Sequence, residues 1–465
     1  MQKFMWGIIF VLFFGVHLPA SSTTITPHSI SRAEYILKKV GEADAICSQV
    51  QLQATVETEV ENGVKVKHIT ERQIALCAWS EETASWHVIH IALKYPVSEE
   101  YTSCVRVSAT LEERKNCVLS YRVVTPGYQL EHQRGYGITR LIFNAYKEKT
   151  ISVHDDKKIL SMTVRGEKLV VYRTRHMWFD DDALTAGDVD HILATATAIN
   201  YTPDHPDFAD DELAIIGKRY LIDKLRIVEQ TLGVDVALSG TVRSHAFSDR
   251  ALAKIIPRET LMALAIIEQI DDLAYLSDKE GEVQSKLREY AINRDKAFAW
   301  SQSWAASGPL QFTPRTYDFI VLGYPQANIE PNFDIGARSL TNVLAAAYAL
   351  LDYNIAHFPE IQPIFKKDSK RGALFPVADY NGGPPASRAL YAWLKKNRIS
   401  VLRKHIVLPR SFAIKKTEQC PCRSSVGKVT KKTGAKIHYV ANTETPMYLT
   451  KYLYLLEYLA EHELD

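Results

Sequence analysis

The spacing of apolar residues divides the chain into two parts. Up to about residue 178, apolar and polar positions mostly alternate, and Ile89, Ile91 and Leu93 give the clearest example. A period of two is typical of β-strands, whose successive side chains point to opposite faces of a sheet. Further strands are predicted at residues 117–124, 137–146, 159–164 and 169–172. The Arg-Gly-Glu-Lys segment at 165–168 predicts a hairpin turn between the last two.

Beyond about residue 180 the apolar residues recur at intervals of three and four. Leu340, Val343, Leu344, Ala347 and Leu351 form one such stripe, which is the pattern of a helix that buries one face. We therefore expect an α+β protein in which a β-rich domain precedes a mainly α-helical domain. The expected domains cover residues 24–178 and 180–465.

Residues 1–20 have the features of a secretory signal. Lys3 supplies a positive start, residues 4–16 are apolar, and Leu-Pro-Ala at 18–20 resembles a cleavage site. The apolar run is short for a membrane span, although an uncleaved anchor is an alternative. The sequence thus predicts export to the periplasm, with no stable transmembrane domain.

The cysteines and the net charge limit the classes of protein to which this chain can belong. Six cysteines follow the signal, and an even number in an exported chain predicts disulfides, here within the group of four that comprises Cys47, Cys77, Cys104 and Cys117. The Cys-Pro-Cys segment at 420–422 is too short for most zinc knuckles, so no metal site is predicted. A formal net charge of +2 argues against a dedicated nucleic-acid-binding protein.

A basic segment at residues 415–438 interrupts the helical pattern. It contains seven lysine and arginine residues against the single acidic residue Glu418. Such a segment is either a solvated loop or an electrostatic patch for an acidic polymer.

The first candidate for chemistry is Glu268, on a helix predicted at residues 261–272. Glu268 shares one helix face with Leu261, Leu264 and Ala265. Burial on this apolar face, with Asp272 one turn further on, would favour the protonated carboxyl. Glu268 is therefore a candidate general acid, and a structural ion pair is the alternative.

Three other segments carry polar residues in settings that suit a cleft. Residues 305–317 crowd small residues before Gln311, and Thr313 and Pro314 then predict a helix start. The second segment, at 376–385, places Tyr380 and Asn381 before a Gly-Gly-Pro helix end. The third, Glu-Thr-Pro-Met-Tyr, begins at residue 444 and opens another helix.

These four motifs, in this order, resemble the soluble lytic transglycosylase family over about residues 255–460. The family comprises peptidoglycan-cleaving enzymes with a lysozyme-like fold, related to goose-type lysozymes. The resemblance implies that Glu268 is the single catalytic carboxyl and that no metal or organic cofactor takes part. It also implies substrate-binding roles for the following residues: Ser303, Ser307, Gln311, Tyr380, Asn381 and Glu444.

The chain departs from the family pattern in three places. Gln269 replaces the usual serine after the catalytic glutamate, and a proline stands in the segment before Gln311. The interval between Glu268 and Gln311 is about twice the usual one, so residues 278–300 look like an insertion that brings rival acids. Those rivals are Glu280, Glu282 and Glu289, and Ser301 is an alternative to Ser303.

The resemblance predicts an exported lytic transglycosylase, a lyase that acts on peptidoglycan glycan strands. It would cleave the β-1,4 bond between N-acetylmuramic acid and N-acetylglucosamine and leave a 1,6-anhydro sugar. Two alternatives remain at this point. One is a muramidase that adds water, and the other is an inactive peptidoglycan-binding or secretion scaffold.

Overall fold

The structure is a computed structural model. It describes residues 30–462 except 62, 97–98, 109, 111–112, 114–115, 118, 135–141, 156–157, 180–188, 204–205, 236, 300–301, 304–305, 404 and 419–435. The predicted signal at 1–20, Cys420 and Cys422, and most of the basic segment lie outside the described residues.

The described part of the chain is α+β, as predicted. An antiparallel sheet forms from the first eight strands, in the order β4-β3-β2-β7-β6-β5, with β1 paired to β2 and β8 paired to β7. These strands are β1 (Ala54–Glu61), β2 (Val64–Ser80), β3 (Ser85–Lys94), β4 (Tyr121–Val123), β5 (Tyr128–Arg134), β6 (Ile142–Asp155), β7 (Lys158–Trp178) and β8 (Thr197–Tyr201). Two short hairpins lie later in the chain, β9 (Gln302–Ser303) with β10 (Ala306–Ser307), and β11 (Phe412–Glu418) with β12 (Lys436–Asn442).

The alternating pattern around Ile91 correctly predicted β3. Ile89, Ile91 and Leu93 are fully buried in the core beneath the sheet. β3 pairs with β2 in an unbroken register from Glu71 opposite Lys94 to Ser80 opposite Ser85.

The hairpin predicted at residues 165–168 is wrong, because these residues lie in the middle of β7. A Cβ atom on Gly166 would lie 2.7 Å from the carbonyl oxygen of Lys147 on β6. The register of β6 and β7 shifts at this place, between Tyr146 and Glu148. The glycine therefore permits a close approach of two strands at an irregular pairing, which is the other common role of glycine in a strand.

A helix that the alternating pattern did not predict precedes the sheet. Helix α1 (Arg32–Ser48) begins at a capping box, in which Ser31 and Glu34 bind each other's backbone amides. Its last turn is linked to β2 by the disulfide Cys47–Cys77, and a second disulfide joins Cys104 to Cys117. Both pairs lie within the predicted group of four cysteines and fit an oxidising compartment.

Helices dominate the chain after β8. Before β8, two short helices lie beside the sheet, α2 (Glu99–Val107) and α3 (Val189–Thr195). The helices after β8 are α4 (Asp211–Leu232), α5 (Arg258–Ile267), α6 (Asp272–Ser277), α7 (Lys279–Asn293), α8 (Pro314–Gly323), α9 (Phe333–Gly336), α10 (Leu340–Ala356), α11 (Gln362–Lys367), α12 (Ser369–Gly372), α13 (Leu374–Gly382), α14 (Pro384–Lys396) and α15 (Glu444–Glu461). Their apolar side chains form one large core. In that core most residues of α10 are buried, including Asp352. The Asp352 carboxylate accepts hydrogen bonds from the Tyr324 hydroxyl at 2.8 Å and the His245 backbone amide at 2.6 Å.

The sheet extends past the boundary expected near residue 179. Strand β8 pairs with β7 from Thr197 opposite Trp178 to Tyr201 opposite Thr174. The helices of the second part begin only at Asp211, after Asp210, whose side chain caps α4. The stretch 278–300, predicted to be an insertion, contains the whole of α7. This helix packs against α4 and belongs to the helical core through Val283, Leu287 and Tyr290.

Candidate functional site

Glu268 lies at the end of the most completely buried helix of the site. All residues of α5 from Thr260 to Ile267 are buried, and Glu268, partly exposed, is the C-cap. The helix predicted at 261–272 therefore ends earlier than expected. It ends because Asp271 caps a new helix, accepting hydrogen bonds from the amides of Leu273 and Ala274.

The early end of α5 changes the charges around Glu268. Asp272, predicted to stand one turn from Glu268, instead forms an ion pair with Lys451 of α15. The like charge that acts on Glu268 comes from Glu444, at the start of the same helix α15. The prediction that Asp272 raises the pKa of Glu268 is therefore wrong, because the two residues no longer share a helix.

The Glu268 carboxyl is poised between its two protonation states. Burial raises its pKa to about 7, although a hydrogen bond from the Tyr448 hydroxyl to Oε1 and the charge of Lys451 act in the opposite direction. Near neutral pH, a substantial fraction of the carboxyl is protonated. Such a group can donate a proton and then act as a base.

The small-residue segment forms a tight loop beside Glu268. The backbones of Ser307 and Phe312 exchange two hydrogen bonds of 2.9 and 3.1 Å, which close the loop on a four-residue turn. Gly308 has φ +79°, and a Cβ atom there would lie 1.7 Å from the Ala337 carbonyl oxygen. The side chain of Gln311 bonds back to the Gly308 carbonyl at 2.7 Å. As predicted, Thr313 caps the helix that follows.

Two side chains from outside the loop hold it in place through hydrogen bonds. Gln269, next to Glu268, donates to the Pro309 carbonyl at 3.0 Å. The Tyr380 hydroxyl donates to the carbonyl of Leu310. Gln269, which departs from the family pattern, thus connects the end of α5 to the loop. Burial and the charge of Glu268 both raise the pKa of Tyr380.

Asn381 and Glu444 also meet, although they are 63 residues apart. The Asn381 amide donates to the Glu444 carboxylate at 3.3 Å and accepts a hydrogen bond from the Thr445 hydroxyl at 2.8 Å. These contacts join the end of α13 to the start of α15. Helix α13, which carries Asn381, ends at Gly382, and Gly383 follows with φ +70°.

The predicted site residues therefore converge, except where the structure does not describe them. Ser307, Gln311, Tyr380 and the Asn381–Glu444 pair surround the end of α5. Ser303 lies in β9 with its backbone paired to Ala306, while Ser301 falls outside the described residues.

The other acids have different partners. Glu282 pairs with Lys286 at 2.8 Å, Glu280 accepts from Gln284, and Glu289 accepts from Asn293 in a separate pocket. Burial also raises the pKa of Asp379 to about 7, but this carboxyl faces Ser387 and is influenced by Arg388 and His357.

Sequence reasoning missed the roles of Tyr448 and Lys451. Tyr448 is the last residue of the Glu-Thr-Pro-Met-Tyr segment, so that motif was a signal for it. Lys451 follows one helical turn later, and it also donates to the Ile270 carbonyl at 3.3 Å.

In the part of the chain that the structure describes, no group of three or more His, Cys, Asp or Glu side chains could hold a metal ion. None of the helices described is long and apolar enough to cross a membrane. No family model, no curated protein and no solved structure matches the chain.

Proposed function

We propose that this chain is an exported peptidoglycan lytic transglycosylase and that its helical part has a lysozyme-like fold. The observation that carries the proposal is the setting of Glu268. Its carboxyl has a pKa near 7, is partly exposed at the end of a buried helix, and lies beside a loop that Gln269 and Tyr380 hold in place. The order of the four motifs and the two disulfides support the proposal.

In the first step, protonated Glu268 gives its proton to the glycosidic oxygen between N-acetylmuramic acid and N-acetylglucosamine. The bond between this oxygen and C1 of the muramic acid breaks, and an oxocarbenium-like centre develops at C1. The Tyr448 hydroxyl, already bonded to Oε1, stabilises the carboxylate that the proton leaves behind.

In the second step, the Glu268 carboxylate removes the proton of the C6 hydroxyl of the same sugar. The C6 oxygen forms a bond to C1, which closes the 1,6-anhydro ring and returns the proton to Glu268. An intramolecular hydroxyl needs little activation, since its attachment to the sugar gives it a high effective concentration.

A muramidase is the second candidate function, and the position of a second carboxylate, Glu444, close enough to act on Glu268 favours it. Glycosidases that add water commonly use a second carboxylate to activate it, and the charge of Glu444 acts on Glu268. Against this role, one oxygen of Glu444 already accepts a hydrogen bond from Asn381. Asp379 is a poorer candidate, because its side chain contacts Ser387 instead.

Replacement of Glu268 by glutamine tests the proposal. The amide nearly matches the carboxyl in shape but cannot supply the proton, so turnover of purified peptidoglycan should fall by about 10²–10⁴ or more. Glu280→Gln, at an exposed rival acid, is the matched control and should retain activity. Glu289→Gln, at the rival acid with the more usual spacing, should lose far less activity than Glu268→Gln. Activity that survives in Glu268→Gln and disappears in Glu289→Gln would refute the assignment. A folded wild-type protein that binds the polymer without cleaving it would favour the inactive scaffold.

A further inference from the structure

A pocket of about 340 Å³ lies between the sheet and helix α7, and Glu268 does not line it. Its walls include Asp44 on α1, Arg173 and Arg175 on β7, Asn200 on β8 and Glu289 on α7. The volume is within the range of small-ligand sites, which is roughly 300–1,000 Å³. The pocket thus lies between the two parts of the chain and is lined by charged side chains from both.

The charges of this pocket are mixed, with an excess of positive charge. Arg173, Arg175 and Lys296 supply three cations, and Asp44 and Glu289 supply two carboxylates. Asp44 is shared, since its two oxygens lie 3.4 Å from Arg173 Nε and 3.6 Å from Lys296 Nζ. The pocket can therefore accept one more negative group than its own carboxylates provide.

Arg173 is the most deeply buried of these charges, with only 6% of its surface exposed. Burial lowers its pKa despite the charges of Asp44 and Glu289. Its Nη1 donates to Thr202 and Asn293, and its buried Nε lies 3.4 Å from Asp44 as an ion pair without a well-formed hydrogen bond. A buried cation that shares this carboxylate with Lys296 gains from a further charged acceptor.

Arg175 is held in position by the protein. Its Nε donates to the Val50 carbonyl at 3.1 Å, and its Nη1 donates to Asn200 at 2.9 Å. Asn200 is itself bonded to Asp44 and Ser48, each at 2.9 Å. Because this network fixes the charged groups before any ligand arrives, little side-chain ordering is needed for binding.

We propose that this pocket binds the charged end of a short peptide. The peptide carboxylate would lie near Arg173, Arg175 and Lys296, and its ammonium group near Asp44 and Glu289. A simple anion would use the cations alone, whereas a zwitterionic peptide end complements both signs. The identity of this peptide rests on the proposed function. If that function holds, the peptide is the stem peptide of peptidoglycan, which carries free carboxylates and an amine.

A contact path leads from this pocket to the helix that carries Glu268. Phe298 lines the pocket, and its ring packs edge-on against Tyr290 with centroids 5.2 Å apart. The Tyr290 hydroxyl donates to the Ala265 carbonyl at 3.0 Å, one turn before Glu268. A peptide held in the pocket would therefore lie against residues that support the end of α5.

Titration calorimetry on the full chain with intact disulfides tests the proposal. The probe is the tripeptide L-Ala-γ-D-Glu-meso-diaminopimelic acid, compared with forms whose diaminopimelic carboxyls are amidated or whose amines are acetylated. We expect the unmodified tripeptide to bind, and each modification to weaken binding about tenfold or more, because each removes a charge-assisted hydrogen bond. No binding of the tripeptide, or binding no tighter than that of acetate, would overturn the proposal.

Variants locate the binding. Lys296→Gln is safe for folding, since its side chain is 77% exposed, and Arg175→Gln keeps a polar side chain. Both should weaken tripeptide binding about tenfold, whereas the control Arg226→Gln, which removes an exposed pair with Asp223 at 3.0 Å, should not. Equal binding by all three variants would place the peptide elsewhere and overturn the proposal.

Glu268→Gln separates this inference from the proposed function. This variant should bind the tripeptide as the wild type does while it loses glycan cleavage. Cleavage by the wild type without tripeptide binding would refute only the peptide pocket. Tripeptide binding without cleavage by the wild type would refute the transglycosylase and leave the pocket standing.

Discussion

Tyr448 donates a hydrogen bond to Oε1 of Glu268 across 180 residues of sequence. The tyrosine lies on the last helix and the glutamate at the end of α5, and these two helices pack against each other. The hydrogen bond stabilises the carboxylate and so limits the increase in pKa that burial causes. The final helix thereby helps to set the pH range over which the Glu268 carboxyl changes its protonation state.

The first prediction concerns Tyr448→Phe. Loss of the hydroxyl removes a hydrogen bond to the charged form, so the pKa of Glu268 should rise above about 7. A bond of this kind contributes about 1.5–3 kcal/mol, which corresponds to an increase of about one pH unit or more. The limb of the pH–rate profile that falls with rising pH should move to higher pH by this amount.

Tyr452→Phe is the matched control for this experiment. Tyr452 lies one turn further along the same helix, and its hydroxyl contacts Thr260 and the Lys370 carbonyl instead of Glu268. Its pH–rate profile should keep the wild-type midpoint. An identical shift in both variants would mean that packing of the helix, and not the hydrogen bond, controls the acid.

The second prediction concerns Gly308→Ala and its control Gly240→Ala. Both glycines have positive φ, +79° and +88°, so alanine strains either backbone by roughly 1–2 kcal/mol. Only at Gly308 would the new Cβ meet another atom, the Ala337 carbonyl oxygen at 1.7 Å, whereas Gly240 has nothing within 4 Å. Denaturant unfolding should show a clearly larger loss of stability for Gly308→Ala. Equal losses would show that the loop yields easily and is not held against Ala337.

The elements that the sequence predicted well are those with local causes. The period of two predicted β3, and Thr313 with Pro314 predicted the start of α8. The failures arose where one local signal has two structural meanings. Gly166 suggested a turn, but it permits two strands to approach each other closely. The apolar residues around Glu268 continue a helical pattern, but the helix ends there because Asp271 caps α6.

The sequence motifs named several of the residues that meet at the end of α5, but they assigned no role to Tyr448 or Lys451 and did not predict the contacts among these residues. Motif order brought Glu268, Gln311, Tyr380, Asn381 and Glu444 into one list. The partner of Glu268 depends on how the last helix packs against α5, which no local pattern reports. In the same way, no local pattern reports the hydrogen bond from Gln269 to the Pro309 carbonyl.

The third prediction concerns stability and pH. The pKa of Glu268 in the folded protein is about 7, against an ordinary value of 4.5, so its ionisation opposes folding. Its unfavourable contribution begins near pH 4.5 and is complete above pH 7. Glu268→Gln lacks this contribution, so its stability relative to the wild type should rise by about 2 kcal/mol between pH 5 and pH 8.5.

Denaturant unfolding at the two pH values measures this difference. The exposed Glu280→Gln serves as the control, and its stability relative to the wild type should not change with pH. Asp379, whose pKa is also about 7, contributes equally to all three proteins and cancels. A constant difference between Glu268→Gln and the wild type would show that the Glu268 carboxyl ionises as an ordinary glutamate.

The central claim is that Glu268 directs the C6 hydroxyl, and not water, to C1. Mass analysis of the muropeptides released from purified peptidoglycan tests this claim most directly. The account predicts products that end in 1,6-anhydro-N-acetylmuramic acid, lighter by one water than hydrolytic products and unchanged by borohydride reduction. Products that carry reducible ends would contradict it and would identify a hydrolytic muramidase.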